Sequence, residues 1–246
     1  YQGGGSSKVN SLAVDCLYDV INTSALDFDY ADGYSLDEDL KKADSGLVKH
    51  ACKIAKKKDK VIIVAGLPDS YESEGFDRSD LSLPKAMNTL ISKVAAVNPN
   101  VIVVLQAGSP VTMPWINQVK SVLMMYLSGC QGGKATFRLL TGQVNPSGHL
   151  AESFPLRAKD TPCYAYFAND LLQAQYRESI YSGYRYYDTV QSEVLFPFGH
   201  GLSYTSFEYS SLCCDRTEFS SDDVLTFTVD VKNVGNRAGK EAVLLF

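Results

Sequence analysis

Four carboxylates lie within ten residues of one segment, together with a tyrosine and an arginine. The carboxylates are Asp69, Glu72, Glu74 and Asp77, and the cation is Arg78. Hydrolysis of a glycosidic bond needs one carboxylic acid to protonate the leaving oxygen and a second carboxylate as nucleophile or base. A solvated polar loop has the same composition, and composition alone favours that plainer interpretation.

The elements around this segment determine where its side chains lie. Short continuous runs of aliphatic residues predict strands buried on both faces of a sheet at 61–66, 101–105 and 122–127. Helical periodicity predicts helices at 47–57, after Pro84 and at about 134–140. This alternation predicts a mostly parallel sheet. Sites in such sheets form in loops beyond the carboxyl ends of strands, and the carboxylate-rich segment directly follows the first strand.

The pattern changes in the second half of the chain. Residues 145–205 are rich in Pro, Gly, Tyr and Phe and show little helical period. From Val224 apolar and polar residues alternate strictly, which predicts a half-buried antiparallel strand. We therefore expect an α/β fold, a layered α/β sandwich, over 1–203, followed from 204 to 246 by the first strands of a β-sandwich. About 40 residues cannot complete such a sandwich.

Glu72 to Arg78, with Leu81 to Pro84 behind it, resembles the acid/base loop of glycoside hydrolase family 3, the β-glucosidases above all. Further similar strings follow in the family's order at 3–6, 107–115, 129–133, 144–155, 183–188 and 196–205. The chain departs from the family pattern at the loop positions Cys130, Gln131 and Ser179.

The resemblance implies roles for individual residues. In the family a Glu directly before Gly, in an E-G-x-D-R context, is the general acid/base, and Glu74 matches it. Glu72 is the competitor, because a loop can present either side chain. Asp77 and Arg78 match the D-R pair and are expected to fix the position of the loop.

The resemblance also implies an activity. The parent enzyme would be a retaining, exo-acting β-glycosidase, a β-glucosidase first of all, whose partner is a terminal β-linked glycoside or oligosaccharide. Its nucleophilic Asp would lie on a (β/α)₈ barrel domain of the same protein, for which this chain has no counterpart. The resemblance further implies that the C-terminal strands are fibronectin type III-like and that this chain alone is inactive.

Other functions are compatible with the same residues. A β-xylosidase of the family would share the mechanism and differ in the sugar. A β-N-acetylglucosaminidase fits less well, because that subset uses a His/Asp pair on the barrel instead. A non-catalytic carbohydrate-binding or scaffolding module would keep the sheet without the acid, and the intact E-G-x-D-R loop argues against it.

Composition and motifs exclude several classes. A net charge of −5 gives no attraction to a polyanion, so no nucleic acid partner is expected, and no apolar run is long enough to span a membrane. Neither the six cysteines nor the three histidines show a metal-binding spacing, and no cofactor is expected. The string 128–136 fails the phosphate-loop pattern, and no G-x-S-x-G motif occurs. The chain opens without Met, and we expect it to be a piece of a longer protein.

Overall fold

A computed structural model describes residues 1–36, 40–167 and 172–245. The chain forms two compact units. The first, called the α/β unit, comprises Tyr1–Phe137 and Glu152–Pro197. The second, called the β unit, comprises Arg138–Ala151 and Phe198–Phe246. The expected domain division at residue 203 stays a prediction.

A three-stranded parallel sheet forms the centre of the α/β unit. Its strands, in spatial order, are β1 (Val61–Gly66), β2 (Val101–Gln106) and β3 (Ser121–Met124). Val61 lies opposite Val101, and Ile102 lies opposite Ser121, so all three carboxyl ends point the same way. The α/β fold class with a parallel sheet is confirmed, although β3 ends three residues before the predicted run does.

Helices surround and follow this sheet. They are α1 (Leu17–Asn22), α2 (Ser45–Ala55), α3 (Lys85–Ala95), α4 (Gly132–Leu140) and α5 (Tyr184–Val190). Asp44 caps α2, because its Oδ1 accepts hydrogen bonds from the backbone N–H groups of Gly46 and Leu47, at 2.6 and 2.9 Å. One face of α3 is buried, with Met87 and Ile91 at its centre, and this helix packs on β1 and β2. The predicted helices are therefore present, and α1 is an addition.

Helix α5 lies in the region where the sequence showed little helical period. Seven residues are too few to display a period clearly. Gly183 precedes the helix with φ of +59°, and Gln191 follows it in the left-handed region at φ +53°. Beyond it, β5 (Val194–Phe196) pairs antiparallel with β4 (Phe154–Pro155).

Two antiparallel strands dominate the β unit. Strand β6 (Phe207–Cys214) pairs with β7 (Phe227–Asn233), and Asn233 Oδ1 accepts a hydrogen bond from the Gly235 N–H at 3.1 Å in the following turn. The predicted strand from 224 is thus confirmed in its core. Its apolar face is more exposed than expected, since Phe227 is 46% and Val231 38% exposed. The fibronectin type III-like sandwich stays a prediction.

No helix within the described ranges is both long enough and apolar enough to cross a membrane.

Candidate active site

The carboxylate-rich loop, residues 67–78, leaves the carboxyl end of β1. The loop after the neighbouring strand β2 covers 107–110. Because β1 and β2 are parallel neighbours, both loops emerge at the same edge of the sheet. The Leu67 N–H donates to the Gln106 carbonyl at 2.9 Å, which joins the two loops at their bases. The carboxylate-rich loop therefore lies at the edge of the sheet that the strand pattern predicts.

Glu72 is held by the second loop at both carboxylate oxygens. The Gly108 N–H donates to Oε2 at 2.8 Å, and the Ser109 hydroxyl donates to Oε1 at 2.7 Å. A Cβ at residue 108 would lie 3.0 Å from Oε1 and 3.2 Å from the carboxyl carbon of Glu72, a tight contact that needs a shift of a few tenths of an ångström. Glu72 is half-buried, and its hydrogen-bonding capacity is directed into the protein.

Arg78 binds the same second loop from the other end of the carboxylate-rich loop. Its Nη2 donates to Ser109 Oγ at 2.9 Å and to the Pro110 carbonyl at 3.2 Å. Ser109 thus accepts from Arg78 and donates to Glu72, so one hydroxyl binds both the middle and the end of the loop. Burial lowers the pKa of Arg78, and nearby carboxylates oppose that shift, with Glu72 first. Arginine keeps its charge under such a shift.

Glu152 is a third acidic group of this cluster. Burial raises the pKa of its carboxyl, the charge of Glu72 raises it further, and the Arg78 cation lowers it. One cation, Arg78, therefore interacts with both half-buried carboxyls and partly offsets their negative charge. In the sequence, Glu152 was noted only as part of a family-like string.

Glu74 differs from these groups. It is exposed, and only its Oε2 is engaged: it accepts hydrogen bonds from the Ser6 hydroxyl and, at 2.6 Å, from the Ser6 backbone N–H. These bonds, the hydroxyl first, lower the pKa of Glu74, because they favour its charged form. The backbone of Gly5 runs beside Glu74 with a φ of +90°, and a Cβ at this position would overlap the Glu74 side chain. Oε1 has no hydrogen bond within the described ranges.

Asp77 is exposed and forms no ion pair or hydrogen bond within the part of the chain that the structure describes. Arg78 therefore fixes the loop through Ser109 and Pro110 rather than through Asp77. The positioning roles of Asp77 and Arg78 in catalysis stay predictions.

A cleft of about 1060 Å³ adjoins the loop. Its wall includes Glu72, Phe76 and Arg78, and its floor includes Gly66 and Gln106 at the ends of β1 and β2. Phe76 is 50% exposed, so the tip of the loop presents an aromatic ring to solvent. Glu74 is not among the described residues that line this cleft.

The described residues hold no group of three or more His, Cys, Asp or Glu side chains arranged to bind a metal ion. Arg78 partly offsets the negative charge of the acidic cluster, and hydrogen-bond donors bind Glu72. Its arrangement suits proton transfer by a carboxyl group.

Comparison with known proteins identifies the class. The family model described as "Glycosyl hydrolase family 3 C-terminal domain" matches residues 1–204. The chain belongs to glycosyl hydrolase family 3 and corresponds to the C-terminal domain of that family.

Among curated proteins, the chain is 47% identical over 249 residues to thermostable β-glucosidase B of Acetivibrio thermocellus, which covers all of this chain and 33% of that protein. It is 38% identical to an exo-α-(1→6)-L-arabinopyranosidase of Bifidobacterium longum, over all of this chain and 32% of that protein. The chain thus spans about a third of the length of these relatives.

Solved structures show the same fold. A family 3 β-glucosidase of Bifidobacterium adolescentis matches with a TM-score of 0.83 and 31% identity, over 97% of this chain and 40% of that one. A β-glucosidase of Kluyveromyces marxianus in complex with glucose matches with a TM-score of 0.73 and 37% identity, over 80% of this chain and 23% of that one.

Sequence reasoning gave no role to the groups that hold the two glutamates. These are Ser6, Gly108 and Ser109. Gly108 and Ser109 could have been found, because the loops after adjacent parallel strands meet at one edge. Nothing local in the sequence pairs Ser6 with Glu74, since 68 positions separate them.

Proposed function

We propose that this chain supplies the general acid/base, Glu74, of a retaining, exo-acting β-glycosidase that removes terminal β-linked sugars from the non-reducing end. Glucose is the proposed sugar, because relatives over the whole chain and over most of it are named β-glucosidases. The nucleophilic Asp would come from a (β/α)₈ barrel domain elsewhere in the full-length protein. The relatives' greater length leaves room for such a domain.

The observation that supports Glu74 over Glu72 is the difference in their hydrogen bonding. Both oxygens of Glu72 accept hydrogen bonds from the loop after β2, so its carboxylate is fixed to the protein at both oxygens. Glu74 is exposed and keeps Oε1 free, which a proton donor to an external oxygen requires. Glu74 does not line the cleft, which is consistent with a site completed by a second domain.

The proposed reaction is a double displacement. In the first step the Asp carboxylate bonds to the anomeric carbon, the bond to the leaving oxygen breaks, and Glu74 gives that oxygen its proton. In the second step Glu74 takes a proton from water, the water oxygen bonds to the anomeric carbon, and Asp leaves as a carboxylate. The two carboxyls would lie roughly 5–5.5 Å apart.

The charge of the nucleophile sets the protonation of Glu74 in this scheme. An ionised Asp at that distance disfavours a second negative charge and raises the pKa of Glu74, as the acid step needs. The Ser6 hydrogen bonds act in the opposite direction and lower this pKa. Once Asp is esterified its charge is gone, and the lowered pKa suits Glu74 as the base of the second step.

The decisive experiment compares the full-length enzyme with its Glu74→Gln variant on two substrates. One is an aryl β-glucoside with a good leaving group, and the other is a disaccharide. A general acid matters most for a poor leaving group, so disaccharide hydrolysis should fall by about 10²- to 10⁴-fold. Cleavage of the first bond of the aryl glucoside, measured as a pre-steady-state burst, should fall much less.

A matched control replaces an exposed carboxylate outside the site, as Glu218→Gln, and both rates should then stay at the wild-type level. Unchanged disaccharide hydrolysis in Glu74→Gln would overturn the proposed role. A full-length protein that binds glycans but hydrolyses no aryl glycoside would instead support a non-catalytic module.

The same assay resolves the sugar. A panel of aryl β-glucoside, aryl β-xyloside and aryl α-L-arabinopyranoside covers the proposed sugar, the xylosidase alternative and the activity named for the Bifidobacterium longum relative. We expect the glucoside to have the highest kcat/KM. Because the nucleophile lies elsewhere, the purified chain alone should hydrolyse none of the three.

A further inference from the structure

We propose that Ser6 is a positioning residue for proton transfer: it fixes Oε2 of Glu74 and leaves Oε1 as the only oxygen that exchanges a proton with substrate and water. This inference rests on the proposed acid/base role of Glu74. It adds a residue from the glycine-rich segment at 3–6, for which the mechanism above has no catalytic use.

Ser6 holds Glu74 with two donors that belong to one residue. Its backbone N–H lies 2.6 Å from Oε2, and its hydroxyl donates to the same oxygen. Two donors on one oxygen restrict the rotation of the carboxyl group, because turning it would break both bonds at once. A proton donor must be held in its productive geometry, and an exposed side chain on a loop lacks packing that could do this.

The segment that carries Ser6 is itself fastened to the loop. Lys8 Nζ forms an ion pair with Asp69 at 3.2 Å. Gly4 lies against Ser73, where a Cβ would come within 2.6 Å of the serine hydroxyl. Contacts on both sides of Ser6 therefore hold its N–H and hydroxyl groups beside the Glu74 carboxylate.

The charged groups near Glu74 are engaged elsewhere. On its own loop Glu72 binds Gly108 and Ser109, and on the glycine-rich segment Lys8 binds Asp69. Among the described residues no charged side chain contributes to the shift in the pKa of Glu74, whose causes are the two Ser6 hydrogen bonds opposed by desolvation. Removing the Ser6 hydroxyl therefore removes the first of those causes.

The experiment measures the pH dependence of kcat/KM for disaccharide hydrolysis by the full-length enzyme. The alkaline limb of this profile reports the acid in the free enzyme, which must be protonated. In Ser6→Ala the hydroxyl that favours ionised Glu74 is lost, so the pKa rises and the alkaline limb moves to higher pH. In Ser6→Thr the hydroxyl is kept, and the limb should stay at its wild-type position.

Ser7→Ala is the matched control, because Ser7 is the exposed neighbour and forms no hydrogen bond within the described ranges. Its profile should match wild type. An alkaline limb that does not move in Ser6→Ala, or that moves equally in Ser7→Ala, overturns the inference. Ser6→Gly, checked by thermal unfolding, gives a second test if Ser6→Ala folds poorly.

The two proposals fail in different ways. If Glu74→Gln keeps disaccharide hydrolysis, the acid/base role is wrong and the inference on Ser6 falls with it. If Glu74→Gln loses that activity while Ser6→Ala keeps the wild-type profile, the acid/base role stands and only the role of Ser6 is wrong.

Discussion

Glu72 and Glu74 stand two residues apart on one loop, and their carboxylates have different surroundings. Glu72 is half-buried, and the loop after β2 occupies both of its oxygens. Glu74 is exposed, and a residue far away in sequence occupies one oxygen only. The two side chains are chemically identical, so the difference lies in what the fold places beside each.

One loop can therefore hold one carboxylate firmly and leave another exposed. A carboxylate that accepts two hydrogen bonds from a rigid strand–loop junction stabilises the loop, since breaking those bonds would leave partly buried donors unpaired. An exposed carboxylate elsewhere on that loop is then attached to a backbone that these bonds hold in place. Ser109 contributes to both attachments, because it contacts Glu72 and Arg78.

Glu72→Gln in the full-length enzyme is the substitution with the largest expected effect on this difference between the two glutamates. The amide brings a donor where Gly108 N–H or the Ser109 hydroxyl already donates, so one hydrogen bond is lost. We expect the free energy of unfolding to fall by about 1–3 kcal/mol, measured by urea titration. Disaccharide hydrolysis should fall less than in Glu74→Gln, whereas stability should fall more. The reverse order would exchange the roles of the two glutamates.

Alanine substitutions at two glycines, one beside each glutamate, test the same difference. Gly5→Ala places a Cβ at φ +90° against the Glu74 side chain, which strains the backbone by about 1–3 kcal/mol and displaces the acid. Gly108→Ala places a Cβ 3.0 Å from Oε1 of Glu72, where a shift of a few tenths of an ångström suffices. Disaccharide kcat/KM should therefore fall more in Gly5→Ala. A larger loss in Gly108→Ala would contradict the assignment of the reactive side of the loop.

The smallest expected effect is on stability at acid pH. The folded-state pKa of Glu74 is lowered, so its contact with Ser6 contributes stability above the unfolded pKa and loses it as the pH falls through the folded pKa. Ser6→Ala should therefore be less stable than wild type at pH 7. The difference in the free energy of unfolding between the two proteins, measured by denaturant titration, should narrow well below pH 4.5. A gap that stays constant with pH would show that the contact does not favour the ionised form.

Much of the fold follows from local patterns. The runs at 61–66 and 101–105 became β1 and β2. Strand β2 is largely buried on both faces, as an uninterrupted aliphatic run predicts. The same prediction is wrong for β1, because Ile62 and Val64 on one of its faces are each 39% exposed. Asp44 capped α2, as short-range hydrogen bonding predicts. Helix α5 was missed, because seven residues bounded by positive-φ positions show no clear periodicity.

The sequence by itself determined the family, the parallel sheet and the loop that carries the candidate acid. Its strand pattern fixed the edge of the sheet at which that loop lies, since parallel neighbours end together. It could not separate Glu72 from Glu74, because a pattern of residue types does not say which oxygens are already hydrogen-bonded.

The tertiary structure gives the two glutamates different hydrogen-bond partners. Gly108 and Ser109 reach Glu72 across 36 and 37 positions, and Ser6 reaches Glu74 across 68. A hydrogen bond joins atoms about 3 Å apart, whatever their separation along the chain. The packing of the whole unit therefore determines the partners of a loop side chain.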